Sequence, residues 1–398
     1  MTNTDIAKPL DAEHMIVNMG PSHPAMHGTL RVLLELDGET IVNAIPEIGY
    51  LHRCFEKESE VKCYTQVIPY TDRLNYLSPL MNNVGYCMAV EKLWPLDIPE
   101  RAQWIRMLIS ELSRIMDHCV CIGTNLVDIG GLTNFWYLFN PREKLTDWVE
   151  ALCGARLTTT YTRIGGVMRD VPPDTHHFLK ECIKEVLQAI KDTTGLLQKN
   201  RIFMDRTQHV GVISAEDAIS YGFTGPCLRA CGVDYDIRKA HPYYFYDRLD
   251  WDVPLGRHGD SYDRLFVRFE EMVQSCRMVE QILEKMKPGP IMTDHRDVAL
   301  PEKSEVYGSI EGIIQQFKII MHGIKPPPGE IYSYTEAANG ELGFYIVSDG
   351  SSRPYRIKVR PPCFAIYQAY PDLMKGLLVA DAVAILGGLN IVAGELDR

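Results

Sequence analysis

Two histidines, His23 and His27, lie in a short loop at residues 20–28 that also contains Pro21 and Pro24. Because proline fixes φ and removes a backbone donor, this loop can form neither a helix nor a sheet ladder. It is expected to present its imidazole rings, which exchange protons near neutral pH. Acid–base chemistry and a structural role, with one ring bonded to a loop carbonyl, both stay open. A metal site is disfavoured because Pro24 prevents the helical i,i+4 arrangement and no ligand nearby completes a set.

Tyr76 and Asp128 are two further polar residues in apolar surroundings. Tyr76 falls within a predicted helix over 72–93, whose apolar residues recur at intervals of three and four and indicate one buried face. The phenol lies off that face, either toward a semi-polar cavity beside Leu80, Asn83 and Cys87 or in solvent. Asp128 has apolar neighbours on both sides, so its carboxylate needs a partner. Backbone N–H groups at a helix cap or a histidine would serve equally well.

Hydrophobic periodicity predicts the elements that position these residues. Strands are expected at 14–19 and 29–36, which makes the histidine loop the connection of a β-hairpin, and at 40–46. A long helix should run from Pro99 up to a break that consists of Gly-Thr-Asn at 123–125 and Asp-Ile-Gly-Gly at 128–131. Further predicted elements are the helices 136–152, 177–199, 263–286 and 311–322, which form a central bundle, and the strands 342–348 and 355–360.

Composition indicates a folded globular chain. Its 398 residues are 46% hydrophobic, enough for one large core or two closely packed cores. The formal net charge of −11 disfavours nucleic acid as a partner. The eleven cysteines are scattered without a C-x-x-C pair. We therefore expect reduced, mostly buried thiols in place of a zinc site, a cluster site or a disulfide framework.

Targeting signals and nucleotide motifs are not evident in the sequence. Residues 1–15 contain acids and no apolar stretch, so neither a secretory signal nor a transit peptide is expected. Only 376–394 approaches the length of a membrane span, but Asp381 lies within it. We expect a buried helix there, followed by a strand or turn. Without a P-loop or a dinucleotide fingerprint, binding of ATP or NAD by this chain is not expected.

Longer motifs together resemble one family. They are Gly-Pro-x-His-Pro-x-x-His-Gly at 20–28, Gly-Tyr-Leu-His-Arg-x-x-Glu-Lys at 49–57, Asp-Arg-Leu-x-Tyr at 72–76, Ala-Val-Glu-Lys-Leu at 89–93, Asp-Ile-Gly at 128–130, Arg-x-Gly-Gly-Val at 163–167, Thr-Gly-Pro-x-Leu-Arg at 224–229 and Pro-Tyr-Arg-x-Lys-x-Arg at 354–360. Over nearly its whole length the chain resembles the hydrogenase-like large subunit of respiratory complex I, called the D-type subunit in bacteria and the 49 kDa subunit in mitochondria.

This resemblance implies an α+β fold like that of the nickel–iron hydrogenase large subunit. The expected parts are an N-terminal β-rich segment at 1–65 that carries the quinone-site loop, a helical bundle at 66–300 and a C-terminal α+β segment at 301–398. All three are expected to pack as one integrated domain.

The nickel ligands of the related hydrogenases are missing. Counting back from Glu91, the hydrogenase Cys-Gly-x-Cys falls on Asn75 and Ser78, and the C-terminal Asp-Pro-Cys-x-x-Cys falls on Asn-Ile-Val-Ala-Gly-Glu at 390–395. Soft thiolates are the ligands that hold nickel and iron. The resemblance therefore implies that the chain has no metal site, and it argues against a hydrogenase acting on H₂.

In the complex I family the vacated metal cavity is the quinone headgroup site. His27 and Tyr76 match the residues that hydrogen-bond the quinone oxygens, and Asp128 matches the carboxylate paired with the histidine. His23 and Met26 belong to the same quinone loop. Reduction of a quinone takes two electrons and two protons, so donors that also release protons suit the developing negative charge.

Arg53 and Arg73 match family positions that face the terminal iron–sulfur cluster of a neighbouring subunit. Cationic groups there favour the reduced cluster electrostatically. Salt bridges to Glu56 or Glu91 are the alternative role for these two arginines.

The implied function is that of a peripheral-arm subunit of a proton-translocating NADH:quinone oxidoreductase, active only within the complex. Its substrate is menaquinone or ubiquinone, while NAD and the iron–sulfur clusters belong to partner subunits. The implied partners are the small iron–sulfur subunit of the B type, the C-type hydrophilic subunit, the cluster-bearing I-type subunit and the H-type subunit of the membrane arm, on the cytoplasmic side of the bacterial inner membrane. A relative fed by ferredoxin or another donor, a membrane hydrogenase-like complex and an inactive scaffold stay open as alternatives.

Two positions depart from the family pattern. Thr158 stands where many members carry a histidine, so the cluster potential is expected to be lower and to depend less on pH. A lower potential would suit a low-potential quinone such as menaquinone. Asn75 replaces the aspartate usual beside Tyr76, and no proton role is expected for that position.

Overall fold

Helices form most of the chain, and short antiparallel sheets accompany them. A computed structural model describes residues 14–398. The expectation about targeting signals concerns residues 1–15, and residues 1–13 of that segment lie outside the described part of the chain. The strands are β1 (Met15–Met19), β2 (Arg31–Asp37), β3 (Thr40–Glu47), β4 (Thr162–Arg163), β5 (Gly166–Val167), β6 (Gly329–Ala337), β7 (Gly340–Ser348) and β8 (Arg356–Arg360). The helices are α1 (Phe55–Val61), α2 (Tyr64–Thr71), α3 (Pro79–Leu93), α4 (Glu100–Asp128), α5 (Leu132–Cys153), α6 (Thr175–Leu197), α7 (Arg201–Thr207), α8 (Ala215–Ser220), α9 (Gly225–Ala230), α10 (Ile237–Ala240), α11 (Ser261–Lys285), α12 (Lys303–Gly308), α13 (Ile310–Phe317), α14 (Pro362–Gln368), α15 (Tyr370–Met374), α16 (Val379–Leu389) and α17 (Ala393–Asp397). The two three-stranded sheets lie toward the two ends of the chain with the helical bundle between them, which is the expected α+β class, and only the short pair β4-β5 lies within the bundle segment.

The N-terminal sheet carries the histidine loop. Strands pair antiparallel in the order β1-β2-β3, with Met19 opposite Val32 next to the loop. Alternate residues of β2 are buried, as the period of two in a strand requires. The predicted hairpin and the third strand are therefore confirmed.

The predicted helix over 72–93 begins only at Pro79. Residues 72–78 form an irregular turn. Ser78 has φ −130° and ψ 56°, outside the helical region, because proline restricts the conformation of the residue that precedes it. The apolar residues of the turn continue the helical spacing, so periodicity alone placed the start of the helix too early.

The long helix α4 joins the parts of the bundle. It packs against α5, α11 and α16, and α6 packs in turn against α5. Its predicted apolar face is buried. The helix continues through Gly-Thr-Asn at 123–125, the first part of the predicted break, and a Cβ on Gly123 would lie 3.2 Å from the ring of Phe139. It ends at Asp128, in the second part of that break.

The C-terminal region, residues 301–398, consists of a second three-stranded sheet, β6-β7-β8, and the helices α12 to α17. The strands predicted at 342–348 and 355–360 correspond to β7 and β8. The segment 376–394 contains the buried helix α16, which ends at Asn390 with φ 56°. The turn alternative is correct there, but the chain then enters a short helix, α17, which was not predicted. None of the helices within 14–398 combines the length and apolar character needed to cross a bilayer.

Candidate functional site

The loop between β1 and β2 presents His27 and buries Met26. Pro24–Met26 form one 3-10 turn, and His27 ends it in the left-handed region with φ 52°. His23 is exposed, and its Nδ1 accepts a hydrogen bond from the backbone N–H of Ala25 at 3.2 Å. This ring therefore caps the turn. Met26 is fully buried in the core beneath the loop.

His27 and Asp128, which are 101 positions apart in sequence, form a direct pair between Nε2 and Oδ2. Their side chains are 19% and 16% exposed. Asp128 is the last residue of α4, where the unsatisfied backbone groups are carbonyls and no free N–H groups are available. The helix-cap interpretation of Asp128 is therefore wrong, and the histidine interpretation is correct.

Tyr76 lies in the turn before α3 and not on the helix face that periodicity suggested. Tyr76 lines a narrow cleft together with Leu80 and with polar side chains that include Arg142 and Thr159, as expected for a semi-polar cavity. Asn83 and Cys87, the other expected neighbours, are fully buried within α3 and do not line this cleft.

The phenol of Tyr76 is neutral in this environment. Burial raises its pKa, and the nearby Cys363 and Asp117 raise it further, while the cationic Arg53 acts in the opposite direction. A neutral phenol with part of its surface in a cleft can donate a hydrogen bond to a ligand.

The segments that carry His27 and Tyr76 contact two consecutive residues near the C-terminus. A Cβ added to Gly28, the neighbour of His27, would lie 3.0 Å from Cβ of Ala393. A Cβ added to Gly394 would lie 3.2 Å from Cδ1 of Tyr76 and 2.7 Å from the Arg73 carbonyl oxygen. One short stretch of backbone therefore determines where both catalytic candidates lie.

Arg53 and Arg73 are adjacent, and neither contacts the carboxylates suggested as their alternative partners. Arg53 Nη2 donates to the carbonyl oxygens of Arg73 and Gly394, the latter at 3.2 Å. Arg73 is about half exposed, with Nη1 lying 3.6 Å from Asp72. Burial, together with the charge of Arg73, lowers the pKa of Arg53.

The two carboxylates in question bind other cations. Glu56 accepts from Lys358 at 3.1 Å, and Glu91 accepts from Arg106 at 2.6 Å. The salt-bridge interpretation of Arg53 and Arg73 is therefore wrong.

Asp117 is a buried carboxylate that the sequence analysis missed. Asn75 Nδ2 and Ser78 Oγ both donate to its Oδ2 at 2.9 Å, and Asn390 Nδ2 donates to its Oδ1 at 3.0 Å. An acidic residue in a long apolar helix between Met116 and His118 was the available signal, because such a group must find donors. Asn75 and Ser78, the positions that the resemblance matches to a cysteine pair, thus both donate to this carboxylate.

The residues present do not fit a nickel–iron centre. Within the described part of the chain, no group of three His, Cys, Asp or Glu residues is arranged to hold a metal ion. Cys363 lies beside the same buried cluster, but burial and the neighbouring Glu395 raise its pKa well above the usual range. It therefore remains a thiol, and thiolates are what such a centre requires.

Comparison with known proteins gives concordant matches. Residues 128–398 match the family model described as respiratory-chain NADH dehydrogenase, 49 kDa subunit. The chain is 55% identical over 389 residues to the C/D subunit of the NADH-quinone oxidoreductase of Bdellovibrio bacteriovorus, in an alignment that covers 98% of this chain and 70% of that protein. It is 52% identical to the D subunits of the NADH-quinone oxidoreductases of Myxococcus xanthus (98% and 94% covered) and Methylacidiphilum infernorum (99% and 94% covered). The chain therefore belongs to the family of the 49 kDa subunit of the respiratory-chain NADH dehydrogenase, as the resemblance of its motifs predicted.

Proposed function

We propose that this chain forms the quinone headgroup site of a proton-translocating NADH:quinone oxidoreductase, with His27, Tyr76 and Asp128 as its reactive residues. Membership of the family makes the chain a subunit of that oxidoreductase, active within the complex. The observation that carries the proposal is the pairing of His27 with Asp128 next to the backbone stretch that also contacts Tyr76.

The chemistry of quinone reduction requires two electrons and two protons. Electrons arrive from an iron–sulfur cluster of a neighbouring subunit, and each oxygen of the quinone takes up one proton to give the quinol. The neutral phenol of Tyr76 donates to one oxygen, and the His27 ring, paired with Asp128, donates to the other. Because the pair is partly exposed, His27 can recover its proton from water.

Tyr76 and His27 differ in how each side chain is reprotonated after it has given a proton to the quinone. Tyr76 is a weak acid with a raised pKa, so it lends a proton only transiently and must be reprotonated after each turnover. We infer that reprotonation through His27 and Asp128, with movement of the loop between β1 and β2, begins the coupling to proton pumping.

The adjacent guanidinium groups of Arg53 and Arg73 form a cationic patch beside Tyr76. We infer that this patch faces the terminal cluster of the small iron–sulfur subunit of the B type. Positive charge there stabilises the reduced cluster and the negative charge that develops on the quinone. The partial exposure of Arg73 on the isolated chain is consistent with coverage by that subunit.

We infer the remaining assignments from membership of the family. The inferred partners are the B-type, C-type, I-type and H-type subunits, and the complex binds quinone while NAD and the clusters reside in the partners. We infer that the chain lies at the membrane surface on the cytoplasmic side. Its hydrogenase-like ancestry is consistent with the polar residues that replace the cysteines around Asp117.

The test is quinone reductase activity in membranes that carry Tyr76→Phe or His27→Ala, measured beside electron transfer from NADH to an artificial acceptor that bypasses the quinone. Both variants should lose quinone reduction by about a hundredfold, the usual scale for general acid–base groups, while the bypass activity stays at the wild-type level.

Matched controls are Tyr307→Phe and His177→Ala, which change exposed residues of the same types outside the site. Both should retain quinone reduction. If Tyr76→Phe and His27→Ala behave like these controls, the chain does not provide the reactive groups, and the scaffold role replaces the proposed one.

A further inference from the structure

The C-terminal residues after Val392 contact the segments that carry His27, Tyr76 and Arg53. Besides the contacts of Ala393 and Gly394, the Asp397 carboxylate accepts hydrogen bonds from the backbone N–H groups of Gly49 at 2.9 Å and Leu51 at 2.8 Å. These residues immediately precede the Arg53 loop. The tail at 393–398 therefore decides how the His27 loop, the Tyr76 turn and the Arg53 loop lie relative to one another.

The side chain of Glu395 connects this tail to buried residues of the protein interior. Its side chain is almost fully buried, with 1% exposure. Oε2 accepts from Cys363 Sγ at 2.9 Å and from Asn339 Nδ2 at 3.4 Å, whereas Oε1 has no partner. An unpartnered buried carboxylate oxygen is costly as an anion, and a proton on the carboxyl group removes most of that cost.

Direct side-chain hydrogen bonds connect this cluster with the residues beside Tyr76. Asn390 Nδ2 donates to Asn339 Oδ1 at 2.6 Å and to Asp117 Oδ1 at 3.0 Å. Asp117 Oδ2 in turn accepts from Asn75, the residue before Tyr76. These hydrogen bonds connect the carboxyl group of Glu395 to the turn that carries Tyr76, and Glu395 itself belongs to the tail, so a change in its charge affects both segments.

Three charged or titratable groups face Glu395 from the elements packed against it. They are Cys363 of α14, Asp117 of α4 and Arg360 of β8. Burial raises the pKa of Glu395 to about 7, Asp117 adds to the increase, and the hydrogen bonds from Cys363 and Asn339 together with Arg360 oppose it. The carboxyl group therefore changes its charge near neutral pH.

We propose that Glu395 is a positioning residue of the quinone site, which holds Tyr76 and the His27 loop in the quinone-binding arrangement only while its carboxyl group carries a proton. This role rests on the function proposed above, since it concerns how the same quinone site is held. Ionisation places a second anion beside Asp117 in a dry cluster, and the tail must shift to relieve it. Quinone affinity is then lost as the pH rises, while the groups that touch quinone are unchanged.

The experiment compares the KM for quinone in membranes with wild-type protein and with Glu395→Gln, at several values of pH on both sides of neutrality. If only the protonated form binds, the wild-type KM rises about tenfold one pH unit above the midpoint. The glutamine keeps the shape of the group and stays neutral, so its KM should stay low throughout. A Glu395→Gln profile that follows the wild-type rise overturns the role of Glu395.

Asp381→Asn is the matched control, because Asp381 is another mostly buried carboxylate near the C-terminus that pairs with Arg206 at 3.1 Å outside this cluster. Its pH profile should match the wild type. Cys363→Ala supplies a second arm that does not alter Glu395 itself. Loss of the thiol donor should move the rise in KM to higher pH, and an unmoved rise also counts against the role.

These outcomes separate two kinds of failure. If Tyr76→Phe and His27→Ala abolish quinone reduction but Glu395→Gln and Cys363→Ala leave the pH profile as in the wild type, the quinone site stands and only the role of Glu395 falls. If Tyr76→Phe and His27→Ala retain quinone reduction, the proposed function fails, and the role of Glu395 fails with it.

Discussion

At the scale of single residues, two histidine–carboxylate pairs differ in their exposure to solvent, and this difference separates a structural pair from one suited to proton transfer. His118 Nε2 bonds Glu271 at 2.8 Å with both side chains buried, and burial lowers the pKa of His118. His27 and Asp128 form the same kind of pair with part of each side chain in contact with solvent. Only the second pair can exchange protons with water on every cycle. Its carboxylate also lies at the C-terminal end of α4, where a cationic partner is favoured by the helix dipole.

Asp128→Asn tests this pair directly. The amide keeps a hydrogen bond to His27 but no longer places a negative charge beside the ring, so quinone reduction should fall by about ten- to a hundredfold. The measurement is quinone reductase activity normalised to the NADH bypass activity in the same membranes.

Glu35→Gln is the control, because Glu35 forms a comparable pair with His14 at 2.9 Å on the N-terminal sheet, away from the loop tip. It should leave quinone reduction unchanged. Equal activity of Asp128→Asn and Glu35→Gln would show that the carboxylate is only structural.

At the scale of elements, a helix of only five residues contacts more segments of the site than the longest helix does. α4 supplies Asp117 and Asp128, but the five residues of α17 contact the segments that carry His27, Arg53 and Tyr76. This close approach depends on Gly394, since any Cβ there would meet the carbonyl oxygens of Arg73 and Leu74 at 2.7 and 2.8 Å.

Gly394→Ala should therefore displace the Tyr76 turn. We expect the KM for quinone to rise with little change in bypass activity, because backbone atoms cannot move aside without carrying the turn with them. Gly394→Ala should raise the KM for quinone more, and lower the stability of the protein more, than substitution of a surface glycine does.

Gly195→Ala provides that comparison, because Gly195 lies in α6 and a Cβ there meets nothing within 4 Å. Helix propensity predicts a stabilisation of about 0.5 to 1 kcal/mol for this change, measured by thermal unfolding. A wild-type KM in Gly394→Ala would contradict the role of the close approach.

At the scale of the whole molecule, a buried ionic network joins the bundle to the C-terminal sheet. Arg229 of α9 bonds Glu271 of α11 and, at 2.8 Å, Glu336 of β6. Although burial opposes it, Arg229 and His118 hold the pKa of Glu271 below its usual range. The full network consists of Glu111, Arg114, His118, Arg229, Asp236, Arg238, Glu271 and Glu336. Because its members are buried, removing one charge leaves the others without compensation.

Glu271→Gln should destabilise the protein by about 3 kcal/mol or more. The amount of assembled complex in membranes and its half-life on heating should fall, while quinone reduction per assembled complex stays near the wild-type level.

Glu185→Gln is the control, since Glu185 pairs with Lys144 at the surface with about half of each side chain exposed. Its effect should lie within about 1 kcal/mol. If both variants assemble equally well, the network does not stabilise the junction between the bundle and the sheet.

Much of the local structure could be predicted from the sequence. Alternation of apolar residues located the hairpin and its sheet, and the helical period located α4, α5, α6 and α11. The prolines of the 20–28 loop correctly indicated a segment that presents side chains. The start of α3 was placed too early, because Pro79 restricts the residue before it and so delays the helix in a way that apolar spacing does not register.

The sequence by itself determined the family, the loop that presents His27 and the main helices, because motifs and periods are properties of neighbouring residues. Only the tertiary structure decided that Asp128 pairs with His27 and does not cap a helix, and that Asn75 and Asn390 meet at Asp117. His27 and Asp128 are 101 positions apart in the sequence, and Asp117 and Asn390 are 273 positions apart. No local period in the sequence indicates contacts over such separations. These contacts form because α4, the hairpin and the C-terminal tail pack against one another.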